Sequence, residues 1–140
     1  MYRKLIKYTD YNGVEQEEPF YFNLTKEELI RWEMDTSGGM ENLMRRIMEE
    51  KDRYRLVKLF TDAIRRSYGV KSDDGKRFIK NEQVLQDFVC CPAYSELFME
   101  LAGNADSATE FMNGIIPPEL LEEAKKAAEA GTTPAIVSAN

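Results

Sequence analysis

Tyr94-Ser95-Glu96-Leu97-Phe98-Met99-Glu100-Leu101 sets its apolar side chains Tyr94, Leu97, Phe98 and Leu101 at i, i+3, i+4 and i+7. That period is one face of a helix. Glu110-Phe111-Met112-Asn113-Gly114-Ile115-Ile116 answers it, with Ala108, Phe111, Met112 and Ile115 in the same spacing. Pro117-Pro118 then stops the element, because proline has no N–H for the helix ladder. Neither segment carries a residue type suited to bond-making, so both read as packing and contact surface.

Working outward, Asn81 is placed to cap a helix bearing Val84, Leu85, Phe88 and Val89, and Pro92 suits the first turn of the next. Gly103-Asn104 divides that helix from one over 105–113. Upstream, Leu56, Val57, Leu59, Phe60, Ala63 and Ile64 are too dense for one exposed face, which makes 53–67 the expected central core helix. Met40, Leu43, Met44, Ile47 and Met48 mark another apolar face. Thr25-Lys26-Glu27-Glu28 forms a capping box ahead of Leu29, Ile30 and Trp32. Tyr68 to Lys80 reads as a break, with Gly69 as a C-cap and Ser72-Asp73-Asp74-Gly75 as a turn.

The chain begins with a β-hairpin over 1–24. Lys4–Tyr8 and Phe20-Tyr21-Phe22 are rich in β-formers, Asn12-Gly13 is a turn signal, and Pro19 confines its strand to an edge or a first position. The expected fold is therefore mainly α: a compact helical domain of about six helices with a short N-terminal hairpin. It occupies 1–118, and 119–140 forms a C-terminal helix over Glu119–Ala130 with a frayed tail.

With 140 residues, 43% hydrophobic and 31% charged, the composition is that of one globular domain. No apolar run approaches the roughly 18 residues of a membrane span. Met1-Tyr2-Arg3-Lys4-Leu5-Ile6-Lys7 lacks the apolar core of a signal peptide, so the expected compartment is the cytoplasm. The net charge of −6 argues against nucleic acid as a partner. The basic middle, chiefly Arg45, Arg46, Arg53, Arg55, Arg65 and Arg66, alternates with acids as solvated helix faces do.

Histidine is absent, which removes the usual general base and the commonest metal ligand. Cys90 and Cys91 are adjacent and read as small buried residues at a helix end. Gly69–Arg77 departs from a phosphate loop in its glycine spacing and in Arg77, which stands where Ser or Thr must reach magnesium. Glu17-Glu18, Glu27-Glu28, Glu49-Glu50 and Glu122-Glu123 are neighbours whose side chains point apart on a helix. No catalytic residue, cofactor site or metal site is expected. Methionine is the remaining signal: seven are present, and thioethers adapt to irregular partners.

Tyr68–Lys80, Tyr94-Ser95-Glu96-Leu97-Phe98 and Phe111–Pro117 resemble the tail assembly chaperones of long-tailed, siphovirus-type bacteriophages, and the likeness covers most of 1–118. The resemblance implies a non-enzymatic role. Such a chaperone would bind and solubilise the tape measure protein, help recruit major tail tube subunits, and be absent from the finished virion. The alternative is a tail structural or completion protein kept in the particle. Met44, Met48, Phe98 and Met99 are the candidate partner-binding residues, and the hairpin edge suggests a homo-oligomer. The family's longer frameshifted form has a candidate slip site at Ala124-Lys125-Lys126, where an A-rich heptamer fits.

Overall fold

The computed structural model describes residues 1–118, so the expected helix over Glu119–Ala130 and the tail beyond it lie outside the described residues. The chain divides into two compact units. The first comprises Met1–Asn23 and Phe60–Ile115. The second, as far as it is described, comprises Leu24–Leu59 and 116–118.

The first unit is built on a sheet. Strand β1 (Tyr2–Thr9) pairs antiparallel with β2 (Glu15–Phe22), with Tyr2 opposite Phe22 and Thr9 opposite Glu15. The connecting loop is tied by its own side chain: Asp10 Oδ1 accepts from the N–H groups of Asn12 and Val14, each at 2.9 Å. Gly13 takes φ 80°, which a residue with a Cβ adopts only at a cost.

The expectation of a helical domain with only a hairpin is corrected here. Tyr68–Lys71 forms β3 and Phe78–Ile79 forms β4, completing a four-stranded antiparallel sheet in the order β1-β2-β3-β4. Of the described residues 58% are helical and 19% lie in strands, so the fold is mixed α and β. The supposed break is thus structural. Gly69 is no helix cap but a strand residue opposite Tyr21, where a Cβ would stand 2.6 Å from the Phe78 ring. Glycine is needed there for close approach. Pro19, opposite Leu5, is tolerated because β3 pairs β2 only at Tyr21 and Phe22, leaving β2's outer edge unpaired beside the proline.

Helices α4 (Glu82–Val89), α5 (Pro92–Gly103) and α6 (Ala105–Ile115) pack with this sheet. Asn81 Oδ1 accepts from the Val84 N–H at 2.8 Å, Pro92 opens α5, and Asn104 Oδ1 accepts from the first turn of α6. Alternation along β1 turns Tyr2, Lys4, Ile6 and Tyr8 one way. The core is aromatic. Phe22, fully buried, has the rings of Phe111, Tyr68 and Phe88 within 5.2 to 5.8 Å, and Tyr68 stacks on Phe88 at 4.2 Å. Ile64, Ala93, Leu97, Leu101 and Ile115 fill the space around them. Lys80 Nζ donates to the carbonyls of Asn23 and Arg66 at 2.7 and 2.8 Å, fastening the end of β2 beside the end of α3 (Arg53–Ser67).

The second unit holds α1 (Lys26–Asp35), α2 (Gly39–Glu50) and the first half of α3, which passes into the first unit at Phe60. The Thr25–Glu28 capping box forms reciprocally, at 2.9 and 3.1 Å. Asp52 caps α3 by accepting from the Arg55 N–H at 3.0 Å. In α3 only the later residues Leu59, Phe60, Ala63, Ile64 and Ser67 are buried, and Val57, expected in the core, is 42% exposed. The adjacent cysteines also differ from expectation. Cys90 is exposed and Cys91 half-buried, because they form the corner between α4 and α5 instead of facing the core.

Candidate partner-binding surface

Each helix segment of the second unit turns a pair of large apolar side chains to solvent. On α1 these are Ile30 and Met34, on α2 Met44 and Met48, and on the first turns of α3 Tyr54 and Val57. The spacings i, i+4 and i, i+3 place each pair on one stripe of its helix. Each helix also has a buried side: Trp32 on α1, Ile47 on α2 and Leu59 on α3. On α1 and α3 the exposed pair lies away from the buried residue, whereas on α2 Met44 and Met48 are the outer margin of the face that buries Ile47. Scattered exposed hydrophobes are ordinary; here they recur as pairs on successive helices, which makes these side chains candidates for partner contact.

Local chemistry holds these stripes in place. Gly38 and Gly39 both have positive φ, 77° and 84°, and turn the chain from α1 into α2. The Thr36 hydroxyl donates to the Trp32 carbonyl at 2.8 Å, and the Met40 N–H donates to Glu33 Oε1 at 3.2 Å. Lys51 at φ 51° ends α2, and Asp52 starts α3 at once. Charge is balanced along this unit, with eight basic and eight acidic side chains between Leu24 and Leu59. A neutral, apolar-striped surface suits an amphipathic helix better than it suits an ion or a polyanion.

The four residues expected from the sequence fall into two places. Met44 (42% exposed) and Met48 (75%) share the outer stripe of α2. Phe98 and Met99 belong to α5 in the other unit, where Phe98 is half-buried and Met99 is 64% exposed. Ile30, Met34, Tyr54 and Val57 were not singled out. For Val57 the sequence pattern pointed to the core. Ile30 and Met34 carried a detectable signal, because they sit out of phase with Trp32 on the α1 wheel.

The shifted ionisable groups among the described residues lie in turns, caps and the packed sheet. Burial raises the pKa of Tyr2 and of Tyr68, and a hydrogen bond to Glu18 raises that of Tyr8. The Glu100 carboxylate raises Lys4. Asp10, Asp52 and Asp74 are lowered by the Gln16 amide, the Arg55 N–H and the Ser72 hydroxyl respectively. Each shift has a structural cause within a turn, a cap or the packed sheet. Among the described residues no group of His, Cys, Asp and Glu is arranged to hold a metal ion, and no helix is long and apolar enough to cross a membrane.

A family model described as phage tail assembly chaperone matches residues 1–139. No curated protein and no solved structure matches the chain.

Proposed function

Because the chain belongs to the phage tail assembly chaperone family, which is not an enzyme family, we propose that it binds and solubilises the tape measure protein during tail morphogenesis. It acts in the host cell during assembly. The observation that carries the reading is the set of exposed apolar pairs Ile30/Met34, Met44/Met48 and Tyr54/Val57 on the three helix segments of one unit. A long amphipathic helix alone in water exposes an apolar stripe that drives aggregation. Laying that stripe on side chains such as Met48 and Met34 removes both surfaces from water at about 25 cal/mol per Å². Thioethers let one surface take successive, non-identical stretches of a rod.

In this reading many copies coat the tape measure, with contacts between copies adding to the coat. The chaperone also helps recruit major tail tube subunits, through a frameshifted longer form that slips at Ala124-Lys125-Lys126, and it leaves before the particle is complete. The host bacterial cytoplasm is its place of action, and the mature virion is expected to lack it. Co-expression tests the core of the proposal. The tape measure protein of the same phage should be soluble when co-expressed with the chain and sediment without it. Equal solubility in both cases overturns the function, and abundant peptides from this chain in purified virions overturn its departure.

A further inference from the structure

Helix α6 ends at Ile115, and 116–118 belong to the second unit together with Leu24–Leu59. Pro117 is buried, and Pro118, the last described residue, is helical in backbone. Proline suits the first turn of a helix, where its missing N–H costs nothing. The residues that follow, Glu119–Ala130, space Leu120, Leu121, Ala124, Ala127 and Ala128 as one face of a helix. An amphipathic segment thus departs from the unit whose helices expose apolar pairs. We infer that 119–130 is the occupant of one of these pairs, Tyr54/Val57 on α3, docking there within the same chain as a helix that a partner must displace.

Charge selects α3 among the three helices. From Lys51 to Lys58 there are four basic side chains and one acidic, Asp52. Arg55 is engaged by Asp52 and Glu50, whereas Lys51 and Arg53 have no acidic partner among the described residues. The first turn of α3 carries no acid, so the positive end of its dipole adds to these cations. The segment is the complement: Glu119–Ala130 has four acidic and two basic side chains, and three of the acids, Glu119, Glu122 and Glu123, come within its first five residues. The other stripes are poorer seats. Lys26–Asp35 carries four acids against two cations, and Gly39–Glu50 three against two.

With two leucines and otherwise alanines on its apolar face, the segment offers a weak contact that its tether makes effective. A short tether holds it at an effective concentration on the order of 1 mM. If its Kd as a separate peptide is about 0.1–0.5 mM, a partner competing for Tyr54 binds about threefold to tenfold more weakly than it would without the segment. The docking stands on the described surface alone, and the displacement rests on the function proposed above.

Fluorine NMR of the full chain, with 3-fluorotyrosine at its seven tyrosines, tests the docking without any partner. Tyr54→Phe assigns the Tyr54 signal. Leu120→Ser combined with Leu121→Ser should move that signal toward free fluorotyrosine and leave those of Tyr2 and Tyr11, in the other unit, in place. An end-blocked 119–130 peptide added at about 2 mM, above the effective concentration of the tether, should move it back. A Tyr54 signal that does not move overturns the inference. Movement of that signal when the unaltered chain is diluted also overturns it, because the occupant is then a second copy. If the serine variant loses the dispersion of all its signals, and so does not fold, Glu122→Lys with Glu123→Lys decides by the same signal at low salt. Calorimetry with a soluble tape measure segment then reads the displacement: the serine variant should bind it about threefold to tenfold tighter. Equal or weaker binding overturns the displacement. The fluorine signals need no tape measure, so failure of the docking and failure of the proposed function are told apart.

Discussion

Replacing Met44 and Met48 together by serine separates a binding surface from a piece of core. Met48 is 75% exposed and Met44 42% exposed, so truncating them removes little buried area from the folded chain. Fully burying a methionine side chain is worth about 2 kcal/mol. A partner that covers both would therefore gain about 1.5 kcal/mol at Met48 and about 0.8 kcal/mol at Met44, in proportion to what each still exposes. The double variant should lose about 2.3 kcal/mol of binding, or about fortyfold in Kd. Its unfolding free energy should move by no more than about 0.5 kcal/mol, the usual range for surface changes. Isothermal titration against a soluble segment of the tape measure gives the first number, and urea unfolding followed by circular dichroism gives the second. Tyr11→Ser in the other unit, at a residue 87% exposed, is the control and is expected to leave this binding intact. An unchanged Kd in the double variant refutes the placement of the surface. A loss of several kcal/mol of stability would refute it differently, by showing that the methionines hold the fold together.

Two further outcomes follow from the sheet and the caps. Gly69→Ala places a methyl 2.6 Å from the Phe78 ring and 3.0 Å from the Ile79 carbonyl oxygen, so it should destabilise by about 1–3 kcal/mol. Phe78→Leu should recover part of that in urea titrations, and no recovery would mean that the ring is not the obstacle. Asp52 has its carboxyl held below 3.8 by the Arg55 N–H at the start of α3. A depressed carboxylate pKa gives stability above the unfolded value that disappears as pH falls through the folded one. The melting-temperature gap between the wild type and Asp52→Ala should therefore be widest near neutrality and narrow below pH 3.8. A gap that widens on acidification would contradict the assignment.

The elements that could be read from the sequence are the helices, whose stabilising bonds close within four residues, and the hairpin, whose strands are joined by a short turn marked by Asn12-Gly13. Thr25 with Glu28, Asn81 with the Val84 N–H and Pro92 at the head of α5 each form where the residue types require. The helix periods of 94–101 and 105–115 were legible for the same reason: burial of Leu97, Leu101, Phe111 and Ile115 follows from one repeated spacing. Strands β3 and β4 were not legible. They have four and two residues, too few for a period to show, and Tyr68 and Gly69 become strand only by pairing with Phe22 and Tyr21 far up the chain. Exposure was equally out of reach where a helix is apolar on two sides. Composition alone cannot say whether Val57 or Leu59 is the one turned inward.

The amino-acid order by itself pointed to a helix-rich chain with an N-terminal hairpin, without histidine and with a surplus of methionine, because composition, caps and periodicity are local properties. Tertiary structure decided which apolar faces are covered. It recruited Tyr68–Lys71 and Phe78–Ile79 into the sheet, buried Trp32, Ile47 and Leu59, and left Met34, Met48 and Tyr54 in water. The physical reason is that a helix with two apolar sides can bury either one, and only the shape of its neighbours selects between them.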